Sequence, residues 1–205
     1  LPVPLEIAEN RTVSPTLGRD SVVASFRAGL IGCLAIVIFM LINYRLPGLV
    51  ADIALAIYVV IVLALLIMAN VTLTLFGIAG FIISIGMAVD ANVLIFERLK
   101  EELWSGKGMR AAVEAGFHRA WTAILDSNLT TLIACGVLYF LGTSSVKTFA
   151  VTLALGVLAS MFSAITLTRW MLEIVGSTRL GQRIELYTHG ARKLAASESS
   201  ATSTG

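Results

Sequence analysis

The sequence predicts an all-α membrane protein with five transmembrane helices, and two observations support this fold class. First, 57% of the 205 residues are hydrophobic and only 14% are charged, whereas soluble domains average about 25% charged residues. Second, several apolar stretches approach or exceed the roughly 20 residues that a helix needs to span a bilayer. One of them, residues 121–141, is more polar than the others. The predicted spans are residues 26–44, 49–68, 71–96, 121–141 and 146–172.

Around these spans we expect three regions. Residues 1–21, with their early prolines, are typical of an extended segment at the end of an external domain. Residues 22–176 form the transmembrane domain, and residues 177–205 form a polar, disordered tail. Because the sequence starts at Leu1 rather than Met, we also expect further chain before it.

Basic residues indicate the orientation. Arg and Lys are concentrated between the third and fourth spans and after the fifth, and such residues mark the cytoplasmic side. The N-terminus is therefore placed outside and the C-terminus in the cytoplasm. Residues 97–119 form the main cytoplasmic connection. Their apolar residues recur at helical spacing and are interrupted by Gly106 and Gly108, which predicts two short amphipathic helices on the membrane surface.

The remaining composition argues against several kinds of site. The formal charge of +2 gives no support for a nucleic-acid partner. Cys33 and Cys135 are isolated within apolar spans, so we predict neither a disulfide nor a thiolate metal site. His118 and His189 lie outside the spans and are assigned no chemistry.

Small residues recur every four positions in the third and fifth spans. Such spacing lets helix backbones approach closely in lipid, where packing rather than hydrophobicity drives association. We therefore predict that these two spans meet along their small-residue stripes; the alternative is chance, because small residues are common in membrane helices. The stripes are Gly80, Ser84 and Ala88 in one span and Gly156, Ser160 and Ala164 in the other.

Two aspartates lie inside predicted spans. A charged aspartate near the bilayer centre costs about 2.5–3.5 kcal/mol, so its carboxyl should face protein or trapped water. Asp90 lies eight residues before Arg98 and Asp126 lies seven after Arg119, which places both about 10–12 Å inside the cytoplasmic ends. Similar depth on consecutive antiparallel helices predicts that they share one polar pocket. They are candidate proton-relay groups; the alternative is that they only hold helices together.

Polar side chains near these aspartates are candidates to support the relay. On the fourth span, Asp126 and Thr130 share one helical stripe, and Asn128 and Thr131 share another. On the third span, Asn92 follows Asp90 by two residues. We predict that Asn92, Asn128, Thr130 and Thr131 form the polar surroundings of the relay.

Two other acids are given ordinary roles. Asp52 lies just inside the second span, where a helix N-terminus favours an anion, so we interpret it as an interfacial cap. Glu173 follows Arg169 by four residues and is predicted to pair with it. Two buried aspartates also occur in intramembrane aspartyl proteases, but neither Asp90 nor Asp126 stands in the Tyr-Asp or Gly-x-Gly-Asp motif of those enzymes.

Longer motifs resemble the SecD/SecF family of bacterial protein translocase subunits. Within that family they are similar to the motifs of SecD subunits. The run GMAVDANVLIFERLKEEL from Gly86 is similar to the family's fourth-helix signature. The run DSNLTTLI from Asp126 is similar to its fifth helix, and GTSSVKTFAVTL from Gly142 to the entry into its sixth. The leading LPVPLEI is similar to the end of its periplasmic region. The five spans would then correspond to helices two to six of the family.

The resemblance implies half of a helix bundle of the resistance-nodulation-division (RND) superfamily, located in the bacterial plasma (inner) membrane. It implies pairing with SecF as the second half-bundle, association with the SecYEG channel, and indirect work with ATP-driven SecA on an unfolded preprotein. The implied activity is transport powered by the proton motive force, with protons as the coupling ion, no other cofactor and no enzyme chemistry.

Individual residues inherit roles from the motifs that match. Asp90 takes the position of the essential proton-carrying carboxylate, and Asp126 and Asn128 take those of the polar fifth-helix cluster. Asp52 and Thr148 depart from the residues expected of the family.

Two other functions stay open beside the translocase. A small-molecule or lipid exporter of the RND superfamily would reuse the same intramembrane acid, and a purely structural scaffold would need it only for packing. Preprotein movement after ATP exhaustion favours the translocase, whereas small-molecule efflux favours the exporter.

Overall fold

The computed structural model describes residues 15–177, which are almost entirely helical. In chain order they form α1 (Pro15–Met68), α2 (Leu75–Trp104), α3 (Met109–Leu141), α4 (Ser144–Phe162), a π-helical segment (Ser163–Thr168) and α5 (Arg169–Ser177). The last three elements follow one another without a break. The all-α class predicted from the sequence is therefore observed in the part of the chain that the structure describes.

Four helices within residues 15–177 are long and apolar enough to cross a membrane: α1, α2, α3 and the continuous run Ser144–Ile174. The predicted count of five spans is not confirmed, because the stretches 26–44 and 49–68 both lie within α1. The other predicted spans each fall within one of the remaining helices.

Helix α1 turns back on itself at Arg45, where the backbone leaves helical geometry (φ 47°, ψ −110°). In a straight helix, residues 29 and 58 would be about 43 Å apart at 1.5 Å per residue. Instead, Gly29 of the first half lies against Ile82 of α2. Tyr58 of the second half donates a hydrogen bond to Ser84, two residues further along α2 (2.8 Å). The two halves of α1 therefore run antiparallel beside α2.

The residues that follow Arg45 suit this turn. Pro47 has no backbone N–H to donate to the preceding turn, and proline inside a helix bends or breaks it. A Cβ atom at Gly48 would overlap the carbonyl oxygen of Met40. Only glycine therefore lets the two halves of α1 approach this closely.

The core lies where the second half of α1, α2 and α4 meet. Tyr58 and Ser84 are fully buried there, and Ser84 Oγ also donates a hydrogen bond to the Phe81 carbonyl oxygen (2.7 Å). A Cβ atom at Gly156 of α4 would overlap the Ser84 side chain. The small size of Gly156 thus sets how closely α2 and α4 pack.

The connection predicted at residues 97–119 does not form separate surface helices. Its first part completes α2, its last part begins α3, and only the turn 105–108 joins them. A Cβ atom at Gly116 would lie 3.0 Å from the Leu99 backbone nitrogen, so the two helix ends pack directly against each other. Leu99 and Phe117 are buried. The apolar residues that suggested contact with lipid are therefore largely buried within the chain.

A cluster of charges, here called the α2–α3 clasp, joins the two helices beside this turn. It consists of Glu102, Lys107 and Arg119. Glu102 is buried although it is charged, and its carboxylate accepts a hydrogen bond from Arg119 Nη1 (2.8 Å) and pairs with Lys107. Removing one partner of such a buried pair leaves an uncompensated charge. The clasp therefore ties the end of α2 to the start of α3.

Two predicted regions lie mostly outside the described residues. Of the external segment 1–21, the structure describes only residues 15–21, which are helical rather than extended. Pro15 begins α1, a position where the missing proline N–H costs no helical hydrogen bond. Of the predicted tail 177–205, the structure describes only Ser177, the last residue of α5.

Candidate functional site

Asp90 lies near the middle of α2, on the side of the helix turned away from the core. Its neighbours Val89 and Ala91 are buried, whereas Asp90 itself is exposed in the isolated chain. Within residues 15–177, no side chain forms a hydrogen bond or an ion pair with its carboxylate. The described chain therefore supplies no fixed counter-charge for this group.

Asp90 lines a groove of about 200 Å³ between α2 and α3. Since a water molecule occupies about 30 Å³ in the liquid, this volume is sufficient for several waters. Apart from Asp90, the polar lining comes from α3, through Ser127, Asn128 and Thr131. Apolar side chains of both helices complete the lining: Met87, Ala91, Leu94 and Ile124.

The polar side chains of α3 donate hydrogen bonds to carbonyl oxygens of their own helix. The Asn128 side-chain amide donates to the Ile124 carbonyl oxygen (2.7 Å), as does Ser127 Oγ (3.1 Å). Thr131 Oγ1 donates to the Ser127 carbonyl oxygen (3.1 Å). Hydroxyl oxygens that donate their proton keep lone pairs that accept hydrogen bonds. The α3 wall of the groove can therefore accept a proton-bearing group, such as water or a protonated carboxyl.

Asp126 does not line the groove with Asp90, so the predicted shared pocket is wrong for this chain. Asp126 follows Ile124 by two residues, which is about 200° around a helix axis. Because Ile124 and Asn128 are turned toward the groove, Asp126 lies on the opposite, exposed side of α3. Thr130, whose hydroxyl donates to the Asp126 carbonyl oxygen (2.8 Å), is exposed as well.

Asn92 also lies apart from the groove. It is buried, and its side-chain oxygen accepts a hydrogen bond from Thr168 Oγ1 (2.8 Å). Thr168 is the last residue of the π-helical segment, and Ser163 at the start of that segment donates a long hydrogen bond to the Ala54 carbonyl oxygen (3.4 Å). Single π-helical turns are frequent at functional sites. Here the turn connects both α1 and α2 to the continuous run from α4 to α5.

The structure brings the two small-residue stripes together. Each of their members is buried: Gly80, Ser84, Ala88, Gly156, Ser160 and Ala164. A Cβ atom at Gly80 would lie 3.0 Å from the Phe149 carbonyl oxygen. The spacing of four residues, which is visible in the sequence, thus corresponds to the contact between α2 and α4.

The predictions for two acids outside the groove had different outcomes. Glu173 accepts a hydrogen bond from Arg169 Nε (3.0 Å), as the spacing predicted. The capping role inferred for Asp52 is wrong, because both of its carboxylate oxygens are buried without a hydrogen-bond partner. Asp52 lies seven residues after the break at Arg45, beyond the first turn in which a side chain could cap backbone N–H groups.

Two polar groups of the structure were not singled out from the sequence. Ser127 lines the groove and shares a helical face with Thr131, so the spacing of four residues could have indicated it. Glu102 of the α2–α3 clasp could not be distinguished from the neighbouring Glu101 by spacing alone. Its burial depends on how α2 and α3 pack.

Comparison with families and curated proteins gives consistent matches. Residues 3–177 match the family model described as "Protein export membrane protein SecD/SecF, C-terminal". The protein translocase subunit SecD of Dehalococcoides mccartyi is 57% identical over 197 residues, which are 94% of this chain and 44% of that protein. The SecD of Acidaminococcus fermentans is 61% identical over 178 residues, 86% of this chain and 43% of that protein. The chain thus spans less than half the length of these relatives.

Solved structures agree with these matches. A crystal structure of SecDF, a translocon-associated membrane protein from Thermus thermophilus, superposes with a TM-score of 0.81 at 46% sequence identity, covering 85% of this chain and 24% of that one. A crystal structure of SecDF in a super-membrane-facing form gives a TM-score of 0.75 at 45% identity, with the same coverage. The helical arrangement described above is therefore shared with SecDF.

Proposed function

We propose that this chain, which belongs to the SecD/SecF family of protein export membrane proteins, is a membrane domain that couples the proton motive force to preprotein translocation. The matching family model and relatives confirm the family resemblance seen in the motifs at Gly86, Asp126 and Gly142. In this proposal the chain acts as a transport component of the Sec pathway rather than as an enzyme. Its relatives are named protein translocase subunits.

The observation that carries the proposal is the position of Asp90. It is a carboxyl within a helix that is long and apolar enough to cross a membrane, it lines a groove with polar groups of α3, and the described chain gives it no counter-charge. Ionisable residues inside membrane spans mark ion pathways and proton relays. We assign the exchanged proton to Asp90, with Ser127, Asn128 and Thr131 accepting hydrogen bonds from the water or carboxyl that carries it.

The energy available from one proton is of the right size. Moving one charge across about 100 mV supplies about 2.3 kcal/mol, whereas placing an ionised aspartate at the centre of a span costs about 2.5–3.5 kcal/mol. Protonation of Asp90 therefore changes the free energy of the groove by an amount comparable to the driving force. Two packings of α2 against its neighbours that differ in how they hydrate Asp90 would be biased by each proton.

The proposed arrangement in the membrane has five crossings. The two antiparallel halves of α1 would each cross once, followed by α2, α3 and the run from α4 to α5. The excess of Arg and Lys near the turn 105–108 and after α5 supports an external N-terminus and a cytoplasmic C-terminus. The membrane would be the bacterial inner membrane.

Partners follow from the exposed polar surface and from the relatives. An exposed Asp90 in hydrocarbon would be costly, so protein should cover the open side of the groove. We propose that SecF supplies this cover as a second half-bundle, since the similar solved structures are of SecDF. The pair would act beside the SecYEG channel, with SecA contributing indirectly, on an unfolded preprotein.

Asp126, Asn92 and Thr130 enter the proposal in other places. Asp126 and Thr130 form a polar stripe on the outer side of α3, and the same cost argument requires protein or water against it. Asp126 would therefore be a second protonatable group at a boundary with another subunit. Asn92, bonded to Thr168, would hold α2 against the π-helical segment and so position Asp90.

The test is preprotein movement in proteoliposomes that contain SecYEG, SecA, SecF and the full-length protein with Asp90→Asn. Translocation is started with ATP, the ATP is then exhausted, and a pH gradient is imposed. We expect the unaltered protein to continue moving preprotein and the Asp90→Asn protein to stop, because asparagine fills the same volume without binding a proton.

Asp20→Asn is the matched control, since Asp20 is an exposed carboxyl near the start of α1 and should leave movement unchanged. Normal proton-dependent movement with Asp90→Asn contradicts the assignment. Efflux of small molecules without preprotein movement would point to an exporter of the same superfamily instead.

A further inference from the structure

Asp52 is a buried carboxyl to which the proposed function gives no role. Both of its side-chain oxygens are buried and have no hydrogen-bond partner in the structure. Among the described residues it is the side chain with this property. Buried polar groups are usually paired, so an unpaired carboxyl requires a specific explanation.

The depth of Asp52 matches that of Asp90. The second half of α1 and α2 are antiparallel and are joined by the hydrogen bond between Tyr58 and Ser84. Asp52 lies six residues before Tyr58, and Asp90 lies six residues after Ser84. Both carboxyls therefore lie at one level, about 9 Å along the helix axes from that bond.

The first half of α1 presents apolar side chains at the level of Asp52. Gly48, one helical turn earlier on the same face, lies against the backbone of Met40 in the first half of α1. Continuing along the antiparallel pair places Ile36 level with Asp52. Residues 33–40 of the first half contain no charged side chain and no side-chain hydrogen-bond donor except the Cys33 thiol.

The titratable groups of the packed elements do not reach Asp52 either. On α1, Tyr58 donates to Ser84, and the Tyr44 ring lies under the Lys100 ammonium group of α2. On α2, Asp90 is turned to the α3 groove, and Glu97 pairs with Lys100. Residues 144–168 contain one titratable group, Lys147, at the opposite end of the run. On α5, Arg169 and Glu173 pair with each other, and Arg45 donates no hydrogen bond to Asp52.

We infer that Asp52 is a further proton-binding site of the membrane domain, and that it holds its proton as a neutral acid in this packing. An isolated carboxylate in apolar surroundings neutralises rather than remain charged. Binding adds one proton to one carboxylate oxygen and removes one negative charge, with no other reactant. A metal ion would need several oxygen ligands, whereas Asp52 belongs to no cluster of three or more acidic, His or Cys side chains in residues 15–177.

The consequence is that a proton can reside at two positions at one depth, on either side of α2. Asp90 is exposed and can exchange its proton through the groove, whereas Asp52 can do so only when water reaches the space between the halves of α1. This inference does not depend on Asp90 driving transport.

The test is infrared spectroscopy of the full-length protein in membranes at pH 7, with Asp52→Asn as the reference. We expect the unaltered protein to show the carbonyl band of one neutral carboxylic acid per chain, which is absent in Asp52→Asn and retained in Asp90→Asn. An aspartate in water is protonated in roughly one chain in a thousand at pH 7, so the expected occupancy is about a thousandfold higher.

Glu173→Gln is the matched control, because it removes an exposed, ion-paired carboxylate and should not change the neutral-acid band. If Asp52→Asn fails to fold, Asp52→Glu keeps the carboxyl and should shift the band, which assigns it equally well. An ionised carboxylate signal at Asp52, or a neutral-acid band that neither substitution changes, overturns the inference. Loss of transport in Asp90→Asn with the Asp52 band intact separates this inference from the proposed function.

Discussion

Gly156 is a position where a single added methyl group should lower the stability of the fold. A Cβ atom there would overlap Ser84 and lie 3.2 Å from the Tyr58 hydroxyl. Both partners are fully buried, so neither can move into solvent. Adding a methylene to a well-packed core costs about 1–3 kcal/mol. Displacing Ser84 from its hydrogen bond with Tyr58 adds about 0.5–1.5 kcal/mol. Alanine in a helix interior regains about 0.5–1 kcal/mol relative to glycine, so Gly156→Ala should lower the free energy of unfolding by roughly 1–3 kcal/mol.

The assay is equilibrium unfolding of the full chain in detergent, followed by the helical circular dichroism signal. Gly136→Ala is the matched control, because a Cβ atom at Gly136 meets nothing within 4 Å. Alanine in a helix interior is about 0.5–1 kcal/mol more favourable than glycine, so this control should be neutral or stabilising. If Gly156→Ala is as stable as the control, the close packing of α2 against α4 is not as described.

Three further predictions use the same approach. Thr168→Val removes the hydrogen bond from the π-helical segment to α2 and should cost about 0.6 kcal/mol, at most about 1.7, in the unfolding assay; no loss would show that this bond is not formed in the membrane. Glu102→Gln weakens the α2–α3 clasp and should speed trypsin cleavage in the turn 105–108, whereas Glu114→Gln, at an exposed carboxylate of α3 outside the clasp, should not; equal rates would argue against the clasp. Gly48→Ala should cost about 1–3 kcal/mol by separating the halves of α1, and a neutral effect would contradict the turn at Arg45.

The sequence was sufficient to predict features that depend on the geometry of a single helix. The stripes from Gly80 and from Gly156 could be predicted because a spacing of four residues places side chains on one face. The pairing of Arg169 with Glu173 follows from the same geometry. The family could be identified because the run from Gly86 is long and specific.

Features that depend on how helices rotate against each other could not be predicted. The depth of Asp126 follows from its distance to Arg119, but the side of α3 on which it lies depends on packing. Because α3 is polar on several faces, its sequence indicates no preferred buried side. Asp52 was misinterpreted for a related reason: the burial of its carboxylate oxygens depends on how the helices pack, and the sequence around Asp52 resembles an ordinary helix start.

The central claim, that Asp90 carries the coupling proton, is tested most directly by measuring proton entry during translocation. Vesicles with SecYEG, SecA, SecF and the full-length protein would enclose a pH-sensitive dye on the side that receives the protons. The account predicts that protons enter together with preprotein movement and that Asp90→Asn abolishes this entry, while the Asp20→Asn control retains it. Proton entry coupled to preprotein movement at an undiminished rate in Asp90→Asn would contradict the account.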